Sequence, residues 1–199
     1  MTRAHRQPPA FTSASGTSSS ASGTSASASG TSASAGSSKN PATPPTLSHL
    51  DARGDVRMVD VTAKASTRRS ASARSVVRLP PAAVAVLAAG GDTRKGNVLQ
   101  IARIAGIQAA KRTSELIPLC HQIPLTGVEI TLELHDDQLV ITGTATCLGQ
   151  TGVEMEALTA VSVAALTVYD MLKAVSHDLV IERTELLTKD GGRSGSIRR

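Results

Sequence analysis

The sequence predicts an α+β fold with an antiparallel sheet, preceded by a disordered N-terminal tail. The main sign of the sheet is a hairpin: apolar and polar residues alternate over 128–134, a polar turn follows, and a second strand pattern spans 139–146. Two apolar stretches, at about 97–113 and 153–174, have the length and spacing of helices. Strands mixed with helices around a clear hairpin are typical of α+β domains.

The N-terminal tail has an unusual composition. Residues 12–38 are only Ser, Thr, Ala and Gly, and Ser-Gly-Thr-Ser recurs at Ser15, Ser22 and Ser29. Because no large apolar residue is present to form a coiled-coil seam, the composition predicts a flexible, solvated segment. We therefore divide the chain into a disordered tail, 1–46, and one folded domain, 47–199.

Further elements follow from local signals. Asn97 is predicted to cap the helix that runs to about Thr113, and the small residues of that helix around Gly106 allow another element to approach closely. The basic, glycine-rich stretch 189–195 is predicted to be mobile and free to fold over phosphates. The other predicted elements are strands at Val56–Val61, Ser75–Leu79 and Leu179–Leu187, and a helix from Pro80 to Ala89.

Charge and composition restrict the function classes. Arg3, Arg6 and Lys39 supply three of the five net positive charges, so the domain is too weakly basic for a duplex-binding surface. Tyr169 is its only aromatic residue, which leaves no stacking platform for single-stranded nucleic acid. We expect neither nucleic acid nor membrane as a partner, and a cytoplasmic location, with organelle targeting by the tail as the weaker alternative.

The long helix at 153–174 carries charges only near its ends. Glu154 and Glu156 lie at its start, and Asp170 and Lys173 lie near its end. Without a ligand, the two glutamates would complement the helix dipole, and Asp170 and Lys173 would form an ordinary surface ion pair. Because the helix is apolar nearly all round, it is predicted to be buried, and buried charges need partners or a ligand. The two ends lie about 24 Å apart at ~1.5 Å per residue. The chain therefore has either two sites or, as we favour, one site assembled from two subunits.

The segment Leu119-Cys120-His121 lies between two prolines, which suggests a rigid loop that presents an imidazole to a ligand. The alternatives are a small buried thiol with a core histidine, or a zinc hydrolase that uses both side chains. Isolated cations are spread along the rest of the domain, and Lys95 precedes Gly96 and a helix N-terminus, a setting that suits an anion. These cations are Lys64, Arg69, Lys95, Lys111, Arg112, Lys189 and Arg193.

Several segments together carry a family resemblance. They are Met58-Val59-Asp60-Val61, the run from Ala102 to Thr113, Leu116-Ile117-Pro118-Leu119-Cys120-His121, the run from Thr151 to Ala160, Tyr169-Asp170-Met171 and Lys173-Ala174-Val175. In this order they closely resemble the cyclic pyranopterin monophosphate synthase family of molybdenum-cofactor biosynthesis. The likeness covers about 47–195, and the tail has no counterpart in it.

The resemblance implies a lyase that converts (8S)-3′,8-cyclo-7,8-dihydroguanosine 5′-triphosphate to cyclic pyranopterin monophosphate and pyrophosphate. It implies a ferredoxin-like fold and a homohexamer, a trimer of dimers with sites at subunit interfaces. It also implies a functional link to the radical S-adenosylmethionine GTP 3′,8-cyclase that makes the substrate. The alternative is a non-catalytic nucleotide-binding oligomer of the same fold.

Site residues follow by position. The resemblance places Asp170 in the active site with Lys173 beside it, and our hypothesis adds Lys95 as the third catalytic residue. The substrate-binding residues that it implies are Leu119, Cys120, His121, Met155, Glu156, Glu154, Asp60, Lys64, Arg69 and Lys189. We expect no cofactor and no dedicated metal site, with magnesium on the triphosphate left open. Gln122 and Gln150 depart from the family pattern, in which proline and a basic residue are often found.

Overall fold

The computed structural model describes residues 53–192 and 195–199, all within the compact unit Pro45–Arg199. The strands are β1 (Thr67–Arg78), β2 (Asp92–Thr93), β3 (Gly96–Asn97), β4 (Leu125–His135), β5 (Gln138–Gly149), β6 (Val180–Asp190) and β7 (Ile197–Arg198). The helices are α1 (Pro81–Ala88), α2 (Val98–Lys111), α3 (Thr113–Leu116) and α4 (Glu154–Leu172). The tail predicted at 1–46 lies outside the described residues.

The main sheet has five antiparallel strands in the order β4-β5-β1-β6-β7, and β2 and β3 form a separate short hairpin. With α2 after β1 and α4 after β5, the four long strands have the β-α-β-β-α-β arrangement of ferredoxin-like folds. The β4–β5 hairpin turns at Asp136, whose φ of 51° lies in the left-handed region that aspartate tolerates. The predicted α+β class with an antiparallel sheet is therefore confirmed.

Helices α2 and α4 pack closely against each other. A Cβ at Gly106 would overlap the Ile130 side chain and lie 2.8 Å from the carbonyl oxygen of Ala160, so the contact depends on glycine. The start of α2 is also as predicted, because the Asn97 side chain accepts a hydrogen bond from the Gln100 amide at 3.1 Å. The predicted close approach of another element to this helix is confirmed.

The core is aliphatic, as the near absence of aromatic residues predicts. Its largest fully buried side chains include Leu139 and Ile141 of β5 and Val161 and Leu172 of α4. Helix α4 is long and apolar enough to meet the length and composition of a membrane span, but 56% of that stretch is buried within the fold. Its packing against α2 and the sheet accounts for its apolar composition.

The structure corrects two strand predictions. Strand β1 begins at Thr67 instead of Ser75, because its first half faces the core with the small residues Ala71 and Ala73, which carry little strand signal. Pairing with β5 along its whole length holds this half in the sheet. The strand predicted at 56–61 is absent. Apart from a bridge at Val56, the segment has no regular secondary structure. Most of it is exposed, so it has no buried apolar face that would hold a strand against the core.

Two further predictions change. Lys189 and Asp190, predicted to be mobile, belong to β6 and pair with β1, while β7 pairs with Thr188 and Lys189. Arg193 lies outside the described residues. Helix α4 is also not buried on all sides within one chain, because Met155 is 37% and Leu166 is 58% exposed.

Candidate functional site

A cavity of about 730 Å³ lies where the N-terminus of α4 meets the ends of β1 and β6. It draws three cations together, Lys64, Arg69 and Lys189, from the segment before β1, from β1 and from β6. Its remaining lining residues are Ala63, Ala65, Thr67, Ser70, Gln150, Thr151, Gly152, Glu154, Asp190, Gly191 and Gly192. The predicted binding residues from these three segments therefore meet in one place.

A smaller cavity of about 330 Å³ adjoins the first, since Lys64, Thr151, Gly152 and Glu154 line both. It brings together the predicted loop and the start of α4. Its other lining residues are Val59, Val61, Leu119, Cys120, His121, Ile123, Met155 and Glu156. Nine of the ten predicted substrate-binding residues thus line one cavity or both.

Asp60 is the exception. Its side chain is exposed and accepts a hydrogen bond from the Thr62 amide at 2.8 Å, and this bond lowers the pKa of the carboxyl. It is not among the residues that line either cavity. In this chain its contact serves the turn that leads to Lys64.

Glu154 lies between the two cavities. The Lys189 ammonium donates to its carboxylate at 2.8 Å, and both side chains are largely shielded from solvent. The carboxylate lies over Gly152, where any Cβ would overlap it. Glycine at this position thus leaves room for the carboxylate of an ion pair whose Glu154 lines both cavities.

Glu156 is the most unusual carboxyl of the site. It is only 3% exposed, and its Oε2 has no hydrogen-bond partner within the described part of the chain. Burial raises its pKa to about 7, opposed by a hydrogen bond from its own backbone amide and supported by the charge of Glu154. Because a buried oxygen without a partner is rare, and Glu156 also lines the smaller cavity, this carboxyl is suited to gain a hydrogen-bond partner from a ligand.

Cys120 and His121 line the same smaller cavity as Glu156. Burial and the nearby Glu156 raise the pKa of the Cys120 thiol, which keeps it protonated at neutral pH. The His121 Nε2 lies 2.7 Å from the carbonyl oxygen of Val59, so this nitrogen carries the proton and donates it. In the neutral ring Nδ1 is then an acceptor, and it has no hydrogen-bond partner among the described residues.

The three predicted catalytic residues form a second cluster at the other end of α4. The Asp170 carboxylate accepts from Lys95 at 3.0 Å and from Lys173 at 2.7 Å. Hydrogen bonds from Lys173 and then Lys95 lower the pKa of Asp170, and the same Lys173–Asp170 bond raises the pKa of Lys173. Lys95 comes from the turn between β2 and β3, so the predicted anion site at its ammonium is taken by Asp170.

The two clusters do not meet within one chain. Glu154 begins α4 and Asp170 lies near its end, so they are separated by about 24 Å along the helix. Three charged residues at one end and two cavities at the other are therefore separate features of the single subunit. Within the described residues, no group of three or more His, Cys, Asp or Glu is placed to hold a metal ion.

Sequence reasoning missed part of the lining. Ser70 and Thr67 carried no signal, because they lie in the half of β1 that was not predicted. Gly191 and Gly192 were noted only as part of a mobile, phosphate-covering stretch, and the structure adds that they line the larger cavity. Gln150, noted as a departure from the family, lines the same cavity and donates to the Thr62 carbonyl oxygen at 3.4 Å.

Comparison with known proteins identifies the family of the chain. Residues 58–192 match the model of the MoaC family. A protein named cyclic pyranopterin monophosphate synthase from Thermomicrobium roseum is 55% identical over 155 residues, which cover 77% of this chain and 93% of that protein. A crystal structure of AtUAH in complex with (S)-hydroxyglycine matches 67% of this chain and 29% of its own at 15% identity, with a TM-score of 0.35. The match over most of the domain and the close relative establish that the chain belongs to the MoaC family.

Proposed function

We propose that the protein is a cyclic pyranopterin monophosphate synthase of molybdenum-cofactor biosynthesis. It is a lyase that converts (8S)-3′,8-cyclo-7,8-dihydroguanosine 5′-triphosphate to cyclic pyranopterin monophosphate and pyrophosphate. The observation that supports it most directly is the pair of adjoining cavities, which places cations beside a buried carboxyl group. A nucleoside triphosphate has the same two features, an anionic chain and a base with polar edges.

Each cavity suits one part of this substrate. Lys64, Arg69 and Lys189 are placed to hold phosphate oxygens and to stabilise the charge that develops on departing pyrophosphate. Glu156, which lines the smaller cavity and has an oxygen without a hydrogen-bond partner among the described residues, suits the N1–H and exocyclic amine of the guanine-derived ring. The free Nδ1 of His121 is placed to orient a substrate donor.

The proton transfers are assigned to the second cluster. Opening the purine ring, rearranging it to a pterin and closing the cyclic phosphate each move protons, which calls for positioned acids and bases. Lys95 and Lys173 are protonated donors, and the ionised Asp170 between them is an acceptor. We propose that these three residues are the catalytic group.

This assignment needs a second copy of the chain. The exposed strip of α4 that carries Met155 and Leu166 lies between the two clusters and is apolar, which suits contact with another subunit. A copy packed antiparallel along this strip brings its Asp170 cluster to the cavities of the first. We propose that such contacts build a homohexamer, a trimer of dimers, with each active site shared between two chains.

Mixed oligomers test the shared site. Asp170→Asn and Glu156→Gln should each be inactive alone, because each lacks a carboxylate that the proposed site needs. The two substitutions lie at opposite ends of α4 and therefore in different halves of a shared site. Co-expressed with different tags, they should regain roughly a quarter of wild-type turnover, the fraction of shared sites with both halves intact under random mixing. Asp170→Asn mixed with Lys173→Ala is the matched control and should stay inactive, since both lesions lie in the same half. No recovery in the first mixture would place the Asp170 cluster and Glu156 of each site in one subunit.

The activity itself is tested by a coupled assay with GTP, a radical S-adenosylmethionine GTP 3′,8-cyclase and this protein, in which oxidised pterins are separated by chromatography. We expect cyclic pyranopterin monophosphate with an equal amount of pyrophosphate. Accumulation of the cyclic dihydroguanosine triphosphate beside folded protein would instead favour the non-catalytic nucleotide-binding oligomer.

Three further points are proposals of the same kind. The protein needs no resident cofactor or metal, and magnesium acts, if at all, as a companion of the triphosphate; turnover in the presence of a chelator tests this. The GTP 3′,8-cyclase supplies the substrate. The enzyme works in the cytoplasm, which fractionation of the source cells would check.

A further inference from the structure

We infer that Gly192 is a positioning residue, whose missing side chain lets the Arg69 guanidinium lie in the wall of the larger cavity, ready for an anionic group. Both residues line that cavity. The inference rests on the proposed function only for the identity of the anion, which we take to be the phosphates of the substrate.

Arg69 is a buried cation without a carboxylate. It is 9% exposed, and no ion pair among the described residues includes it. Its Nε donates to the carbonyl oxygen of Gly149 at 3.3 Å, which fixes the base of the fork, and its outer nitrogens make no hydrogen bond to the described residues. Because an unpaired charge is costly to bury, such a group is suited to gain an anionic partner.

Two glycines lie against this side chain, and they act differently. Both have positive φ, 96° at Gly191 and 84° at Gly192. A Cβ at Gly191 would lie 2.6 Å from the backbone oxygen of Arg68, so the main chain itself would have to move. A Cβ at Gly192 would overlap Nη1 of Arg69 and lie 3.0 Å from its Cζ, so the guanidinium would be displaced instead.

The charge balance makes Arg69 important for the cavity. Lys189 is already paired with Glu154, so Lys64 and Arg69 are the lining cations without a carboxylate partner in the described residues. A guanidinium offers two parallel N–H donors to a phosphate, a geometry that lysine lacks. If the fork is pushed aside, the cavity therefore loses the one guanidinium that the described residues place in its lining.

Binding of inorganic pyrophosphate, measured by calorimetry on the full-length protein at fixed ionic strength, tests the inference. We expect Gly192→Ala and Arg69→Ala each to raise Kd by about tenfold or more, as expected for loss of hydrogen bonds to a charged group. The double variant should bind no more weakly than Arg69→Ala alone, since the glycine acts through the arginine. Gly54→Ala is the matched control, because Gly54 has a φ of 85° and an added Cβ would have no atom within 4 Å; its Kd should stay at the wild-type value.

Three results would overturn the inference: wild-type affinity in Gly192→Ala, an equal loss in Gly54→Ala, or full additivity in the double variant. If Gly192→Ala alone folds poorly, the same substitution is tested in a protein that already carries Arg69→Lys. Lysine ends short of the Nη1 position, so adding Gly192→Ala should leave Kd unchanged there, and a further tenfold loss would contradict the proposal. Turnover in the coupled assay tests the proposed function separately. If the protein shows no turnover but the effects of Gly192→Ala and Arg69→Ala on Kd are still non-additive, only the proposed synthase activity is rejected.

Discussion

The Lys95 ammonium lies 3.0 Å from both Oδ2 and the carbonyl oxygen of Asp170. This contact ties the β2–β3 hairpin to the last turns of α4, two elements that are far apart in the chain. Lys173 binds the other carboxylate oxygen at 2.7 Å. The carboxylate is thus held ionised between two ammonium groups, in a cluster that is about half exposed on the single subunit.

Asp170→Asn should reduce kcat in the coupled assay by about 100-fold or more, the range for loss of an acid–base group. The amide keeps the shape but removes the charge that orders both lysines. Because the Asp170 side chain is 55% exposed, the melting temperature should change little. Asp137→Asn, at the exposed β4–β5 turn, is the matched control and should leave kcat unchanged. Near-normal turnover in Asp170→Asn would remove this residue from the mechanism.

Glu156 should make stability depend on pH. Its pKa rises from 4.5 to about 7 on folding, so the folded state binds more protons between these values, and the stability it confers is present below pH 4.5 and lost as pH rises through 7. At 1.36 kcal/mol per unit the loss amounts to about 3 kcal/mol. Glu156→Gln should therefore be more stable than wild type at pH 8 and no more stable at pH 5, as judged by urea unfolding at equal protein concentration. The exposed Glu129→Gln serves as control, and an identical pH profile for Glu156→Gln and wild type would show that Glu156 is ionised throughout.

His121→Ala should raise KM more than it lowers kcat. The ring is held by its bond to the Val59 carbonyl oxygen and lines the smaller cavity, away from the Asp170 cluster of the same chain. Removing it takes away an orienting contact of about 1 kcal/mol, or several-fold in KM. His135→Ala, on the exposed end of β4, should leave both constants unchanged. A loss of kcat alone, at constant KM, would instead assign His121 to the chemical step.

Gly106→Ala should destabilise the fold by about 1–3 kcal/mol, the usual cost of an added methyl in a packed interior. The new methyl would meet Ile130 and the Ala160 carbonyl oxygen and push α2 away from α4. Thermal unfolding would measure the loss, with Gln108→Ala, at an exposed position on the same helix, as control. Equal melting temperatures for the two variants would mean that the helices separate without cost.

Local patterns predicted those elements whose buried face is large and apolar. The alternation through Leu132 and Leu134 indicated the β4–β5 hairpin, and the Asn97 cap placed the start of α2 correctly. The first half of β1 was missed, because Ala71 and Ala73 fill its inward positions and pairing with β5, not side-chain preference, keeps it extended. The segment after Val56 looked like a strand only because apolar residues recur in it.

The candidate site divides in the same way. Residues on short motifs, such as Cys120, His121 and Glu156, could be named from the sequence, and the fold places them at one cavity. Contacts between segments that are distant in the chain could not be predicted from the sequence. The partner of Lys95 and the close approach of Gly192 to Arg69 depend on tertiary packing and on the β1–β6 register, and neither leaves a local pattern.

Helix α4 is an unbroken run of 19 residues with a binding cluster at one end and a charged triad at the other. Its length therefore fixes the distance between the two clusters within one chain. One added residue would lengthen it by ~1.5 Å and turn its two ends relative to each other by about 100°. In the oligomer that we propose, the length of this one helix would therefore set the register between subunits, so an insertion in α4, unlike one in a surface loop, would separate the two halves of each proposed shared site.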